Sequence, residues 1–168
     1  MPEMDIIQII TPMSFNPPIH IFQINDEVPE TIRIEIISAF NIYWMDTASC
    51  ANKIRVVVEK VMDNLKIAKT QKSLKGRKPY SLHQRIESLK TNFPQQADSL
   101  MAIKWIGNSG SHSNDSIDRN DILDAFEILD YVLGNIYETH TKRIHKLTKT
   151  INKRKKPVGL RLSRKPPF

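Results

Sequence analysis

The chain of 168 residues has one cysteine, five glycines, 7% aromatic residues and no acid beyond Glu138. The lone Cys50 excludes an intramolecular disulfide and any zinc site built mainly from thiolates, and it fits a reducing compartment. Five glycines leave no Gly-rich phosphate cradle of the P-loop or dinucleotide type, which excludes nucleotide-driven motor or kinase chemistry. His20, His83, His140 and His145 are scattered without the spacing of a helical zinc site, so neither a metal nor a cofactor is expected. No run reaches about 18 apolar residues, and Met1–Asp5 carries acids where a secretory leader carries cations. The expectation is a cytoplasmic protein that does not enter membranes.

Charge is abundant but unevenly placed. The formal net charge is +7 and the isoelectric point near 9.5, values that invite a nucleic-acid reading. Residues 1–141 hold 14 bases against 18 acids, a net −4, whereas residues 142–168 hold 11 bases and no acid. The basic character therefore resides in Lys142, Arg143, Lys146, Lys149, Lys153, Arg154, Lys155, Lys156, Arg161, Arg164 and Lys165. Each cation that neutralises a phosphate steepens the salt dependence of binding. The alternative is a solubilising tail that docks on an acidic surface, including the chain's own residues 1–141.

Patterning divides the chain into an arm (1–28), a helical domain (29–141) and a basic extension (142–168). Pro2, Pro12, Pro17 and Pro18 exclude a helix from the arm, and its Ile-rich runs predict extended segments, draped over the domain or reaching for a partner. Ile32, Ile36, Ala39, Phe40 and Tyr43 predict a helix from about Pro29 to Trp44. Ala48, Ala51, Ile54, Val58, Val61, Met62 and Leu65 mark a second, capped by Asp46 or Thr47 and small at its start, so that another helix can approach closely. Ala68–Tyr80, with Lys69, Lys72, Lys75, Arg77 and Lys78 around Gly76, reads as a mobile basic loop. Ser81 caps a short helix with Leu82, Ile86 and Leu89 inward. Pro94 starts another, with Ala97, Leu100, Met101 and Trp105 on its buried face and a left-handed stop at Gly107.

The last helix, capped by Ser116 or Asp118, carries Ile122, Phe126, Leu129, Leu133, Ile136, His140, Ile144, Leu147 and Ile151 at steps of three and four, close to the period of a helix–helix seam. Unbroken to about Lys155 it would be roughly 55 Å long, so it must protrude or break, and Gly134–Asn135 is the weakest point. The final dozen residues are expected to be disordered when free. The fold class is all-α, a bundle of about five helices.

The segment Gly107–Ser116, GNSGSHSNDS, has no apolar side chain and lies between two helices. A histidine such as His112 can move a ribose 2′-hydroxyl proton or protonate a leaving oxygen, with Asn108 and Lys104 orienting or neutralising a phosphate. The bland reading is that Asn108 tolerates a helix cap and His112 bonds to backbone. Arg55 and Glu59, four apart, form either a solvated ion pair or a supporting pair behind the His112 loop.

A Pro-initiated helix, VVVEK preceded by Arg55, a basic gap, a helix ending IKWIGNSGSH and a long helix DILDAFEILDYVLGNIY together resemble the HEPN superfamily. The likeness is to its prokaryotic branch of unknown function, found with restriction-enzyme subunits and marked by a Gly-Asn…His segment, over about residues 28–140. The resemblance implies a helical bundle paired so that polar loops of two protomers face each other. Many HEPN members are metal-independent ribonucleases of toxin, CRISPR and anti-phage systems, using an Arg, a polar residue and then a His. On this chain the His position falls on His112, the polar one on Asn108 and the Arg on Gly107, with Lys104 the nearest upstream cation. The zinc ribbon common in this branch is not encoded.

The expectation is thus a homodimeric, HEPN-like, non-catalytic component of a prokaryotic defence or restriction-type system, binding RNA, DNA or a protein partner. One alternative is a metal-independent endoribonuclease using His112, with Lys104 in place of the missing Arg. Another is a pure protein–protein interaction module.

Overall fold

The computed structural model describes residues 12–73, 76–109, 117–137 and 139–157. Six helices and one small hairpin lie within them: α1 (Glu30–Tyr43), α2 (Thr47–Asn64), β1 (Thr70–Ser73), β2 (Gly76–Pro79), α3 (Leu82–Leu89), α4 (Pro94–Ser109), α5 (Arg119–Tyr137) and α6 (Thr139–Arg154). The fold is all-α apart from that hairpin.

The helices start where the sequence supplies caps. Pro29 precedes α1, and its carbonyl accepts from the backbone N–H groups of Ile32 and Arg33. Asp46 caps α2 by accepting from Ser49 N–H at 3.0 Å. Ser81 and Gln84 form a reciprocal capping box on α3. At α5, Asp118 accepts from the N–H groups of Asn120 and Asp121, and Asp121 accepts from Asp118 N–H in return. Those backbone donors, Asp121's first, outweigh desolvation and hold the Asp118 carboxyl below its ordinary range.

α2 is the central element, contacting α1, α3, α4 and α5. Ile32, Ile36, Ala39, Phe40 and Tyr43 of α1 are buried, as are Ile54, Val57, Val58, Val61 and Met62 of α2. Their i, i+3/i+4 spacing aligns them on the inward faces. Cys50 is buried between α1 and α2 with its Sγ on Ala39 O at 3.3 Å. Burial, aided by the nearby Asp46 charge, pushes its thiol up to about 12.

Of the two readings of the arm, residues 12–28 take the draped one. Phe15 sits edge-on to Trp44 at 4.9 Å and Phe22 edge-on to Phe40 at 5.1 Å, while Ile24 and Val28 are buried in the core. Residues 1–11 lie outside the described residues.

Several expectations are corrected. The basic stretch around Gly76 is an ordered antiparallel hairpin, not a loop, with Thr70 opposite Pro79, Gln71 opposite Lys78, Lys72 opposite Arg77 and Ser73 opposite Gly76. Gly76, at φ +113°, supplies the backbone sign that turns the chain. α4 does not stop at Gly107 but continues to Ser109. Trp105 is not on the buried face: it is 54% exposed, and Ile103 takes the core position beside Ala97 and Leu100. α5 passes through Gly134 and Asn135 without a break, Asn135 donating to Tyr131 O at 2.7 Å.

The apolar row of the last helical stretch divides at that α5/α6 boundary. Ile122, Phe126, Leu129, Leu133 and Ile136 of α5 are buried in the bundle, whereas Ile144 and Ile151 of α6 are 46% and 38% exposed.

Candidate functional site

One side of α2 carries Arg55, Glu59 and Asp63 at i, i+4 and i+8, so they share a face. Arg55 Nε lies 3.7 Å from Glu59 Oε1, and both side chains are more than a third exposed. A pair of this kind contributes a few tenths of a kcal/mol.

Asp63, one turn further, is the more structured centre. Its Oδ1 accepts from Arg85 Nη2 at 2.7 Å and its Oδ2 from Lys69 Nζ at 2.7 Å, and Arg85 Nη2 also reaches Ile67 O at 3.2 Å. Burial alone would raise the Asp63 carboxyl. The hydrogen bonds from Lys69 and Arg85, with their charges, outweigh it and hold the group below the ordinary carboxylate range. Arg85 is 7% exposed, and its Nε is buried without a partner. Glu59, Asp63, Lys69, Tyr80, Leu82 and Arg85 line a cleft of about 230 Å³ between α2, the hairpin and α3.

This centre closes the base of the hairpin. Lys66, at φ 59°, reverses the chain after α2, with Lys66 N–H on Asp63 O and Ile67 N–H on Met62 O, a Schellman ending with lysine where glycine is usual. Tyr80 N–H donates to Lys69 O at 2.8 Å and extends the ladder below the strands. Arg85 was not singled out from the sequence, although a cation among Leu82, Ile86 and Leu89 on the inward face of a short helix is a readable signal for a buried ion pair. Asp63 was legible only as the continuation of the 55/59 spacing.

The described residues on either side of the His112 segment both approach the first half of α2. On α4, a Cβ built on Gly107 would lie 3.5 Å from Ala51 O and 3.7 Å from Arg55 Cβ. At the start of α5, Thr47 Oγ1 donates to Ile117 O at 3.1 Å. Gly107 and Arg55 therefore face each other across the α2–α4 packing, and Asn108 is half-buried in the last turn of α4. Lys104 points elsewhere: its Nζ lies 3.5 Å over the Trp105 ring, whose edge also meets His83 with centroids 6.3 Å apart. His112 lies outside the described residues.

α6 presents Lys146, Lys149 and Lys153 at steps of three and four along one face, with Ile144, Leu147 and Ile151 on the other. Lys146, Lys149, Lys153, Arg154, Lys155 and Lys156 are all exposed. The side chains of Lys142 and Arg143, and all of Arg161, Arg164 and Lys165, lie outside the described residues. Among the described residues no three of His, Cys, Asp and Glu gather as a metal-binding group, and no helix is long and apolar enough to cross a membrane.

The class so defined is an all-α domain in which a central helix organises the bundle and a cationic, amphipathic helix follows it. Residues 38–154 match the family described as a domain of unknown function, DUF4145, and the chain belongs to that family. The match runs from the middle of α1 to the end of α6, so the basic helix is included in it. No curated protein and no solved structure gives a significant match to the chain.

Proposed function

We propose that the protein is a non-catalytic, nucleic-acid-associated component that works as a pair of protomers, gripping the phosphate backbone through the cationic face of α6. The observation that carries this reading is the division of α6 into two stripes, exposed lysines on one side and exposed isoleucines on the other. Three to four cations on one helical face match successive phosphates, and no acid on α6 competes for them. Ile144 and Ile151, left 46% and 38% exposed on a polar helix, favour a second surface over that row, and a second copy is the simplest one. The resemblance to HEPN proteins adds pairing and a prokaryotic defence or restriction-type setting to the proposal.

The test is binding of labelled RNA and DNA, single-stranded and duplex, across a salt series, with light scattering in parallel. Deletion of residues 142–168 is expected to weaken binding at least tenfold and to flatten the salt slope. Retained affinity with an unchanged slope sinks the role of α6, and a monomer at high concentration sinks the pairing.

A second reading, metal-independent RNA cleavage with His112 as acid/base, is favoured by one contact. Arg55 Cβ stands 3.7 Å from where a side chain on Gly107 would begin, so Arg55 is better placed than Lys104 to supply the cation that the HEPN pattern puts at position 107. RNA cleavage in EDTA that is lost in His112→Ala and Arg55→Ala but kept in Lys104→Ala would establish it. A protein that leaves a mixed RNA pool intact disposes of it.

A further inference from the structure

We infer that the β1–β2 hairpin is a second nucleic-acid contact, a basic two-stranded ribbon built to lie against the phosphate backbone of a duplex. The register puts Lys72 directly opposite Arg77, and both are exposed. Residues directly opposite in an antiparallel pair project from the same face with Cβ atoms about 4.5–5.5 Å apart, and like charges there destabilise the ladder. Lys78, opposite Gln71, projects from the other face. Among the described residues no acid pairs with Lys72, Arg77 or Lys78, whereas Lys69 at the base of the same hairpin is held by Asp63 at 2.7 Å.

Among the described residues, the acidic contact thus falls on the anchor at Lys69, and the strands keep repelling cations along their length. A polyanion relieves that repulsion, and the phosphodiester backbone supplies charge on both sides of a ribbon that carries cations on both faces. A two-stranded ribbon is one of the two elements that the major groove of duplex DNA admits. Its outer edges add unpaired backbone N–H groups, which are regular phosphate donors.

Anchoring makes the contact inexpensive in order. Lys69 and Arg85, which flank the hairpin on either side, both bond to Asp63, and Arg85 also holds Ile67 O. The strands therefore project from a fixed base, and little conformational freedom is lost on binding. This contact is independent of α6 and can stand or fall without it.

The experiment uses the full chain, fluorescence anisotropy with a 25-base-pair DNA duplex, the matching RNA duplex and a polyglutamate of similar charge, each over a salt series. The triple substitution Lys72→Ala, Arg77→Ala, Lys78→Ala is expected to weaken duplex binding at least tenfold. It should also reduce the magnitude of the salt slope by about 2–3, since each phosphate contact contributes about 0.9. Lys72→Glu separates binding from folding: it sets an acid opposite Arg77, so thermal stability should hold or rise while duplex affinity falls. Loss of affinity in both variants, in the chain with residues 142–168 removed as well as in the full chain, supports the hairpin contact. Unchanged duplex affinity in the triple variant overturns it, whatever the tail deletion does. Loss confined to polyglutamate also overturns it, in favour of an acidic protein partner. The relative loss on the two duplexes tells DNA from RNA.

Discussion

Asp63 accepts from Arg85 on one oxygen and from Lys69 on the other, so a single carboxylate joins α2, the base of the hairpin and α3. Its removal strands a guanidinium that is 7% exposed. Breaking a fully buried pair costs about 3–5 kcal/mol, and Asp63 keeps 30% side-chain exposure, so Asp63→Ala is expected to cost about 2 kcal/mol. Arg85→Met should cost less, because the freed carboxylate can be hydrated and the methionine fills apolar space. Urea unfolding of the two variants checks the order.

The same carboxyl makes stability pH-dependent. Its folded pKa lies below the ordinary 3.8, so its contribution is complete above that value and is lost as the pH falls through the folded pKa. Asp46 and Asp118, lowered chiefly by backbone N–H donors, act in the same direction. Asp130, raised by burial, acts in the opposite one. Unfolding followed between pH 5 and 2 should show a steeper loss for the natural chain than for Asp63→Asn.

Gly107 is helical and close to α2, with room for a methyl group at ordinary contact distance, 3.5 Å from Ala51 O. Gly107→Ala should therefore be tolerated and stabilise by up to about 1 kcal/mol through helix propensity. Gly107→Arg must thread a long side chain past Arg55 and is expected to destabilise by about 1–3 kcal/mol. Thermal melts of both variants decide whether the glycine serves packing alone.

Cys50 is fully buried, with its thiol pushed up to about 12. Thiolate is the reactive form, so a disulfide reagent at pH 8 should label the native protein no faster than the bundle opens, and label it at once in denaturant. Rapid native labelling would show that α1 and α2 part locally.

Much of the bundle is legible in the sequence because its long helices obey one rule at a time. Ile32 to Tyr43 and Ile54 to Met62 keep a helical period, and Pro29, Asp46 and Ser81 announce the starts. The hairpin is not legible because its strands, Thr70–Ser73 and Gly76–Pro79, hold no large apolar residue and so lack the alternation that burial imposes on a strand; its evidence lies in pairing and in an anchor more than five residues away on α2. Trp105 misleads because an aromatic residue suggests the core, whereas here its ring faces solvent and carries Lys104. Gly107 misleads for a different reason. A glycine late in a helix usually ends it, but this one stays helical inside α4, packed close to Ala51 and Arg55 of α2. Of the candidate site, the Arg55–Glu59 pair follows from spacing alone. The approach of Gly107 to Arg55 depends on how α4 rotates against α2, which no local pattern encodes.

The divided apolar row has a thermodynamic consequence. Within α5 the bundle pins the row, but α6 is 16 residues long, a length at which an isolated helix is marginal in water. Lys146, Lys149 and Lys153 repel one another at helical spacing, which weakens it further. Among the six helices, α6 is therefore the one whose amide hydrogens should exchange first. Whatever neutralises one stripe or covers the other also winds the helix, and by linkage a wound helix binds both more tightly. The ellipticity of α6 is thus a built-in gauge of its occupancy.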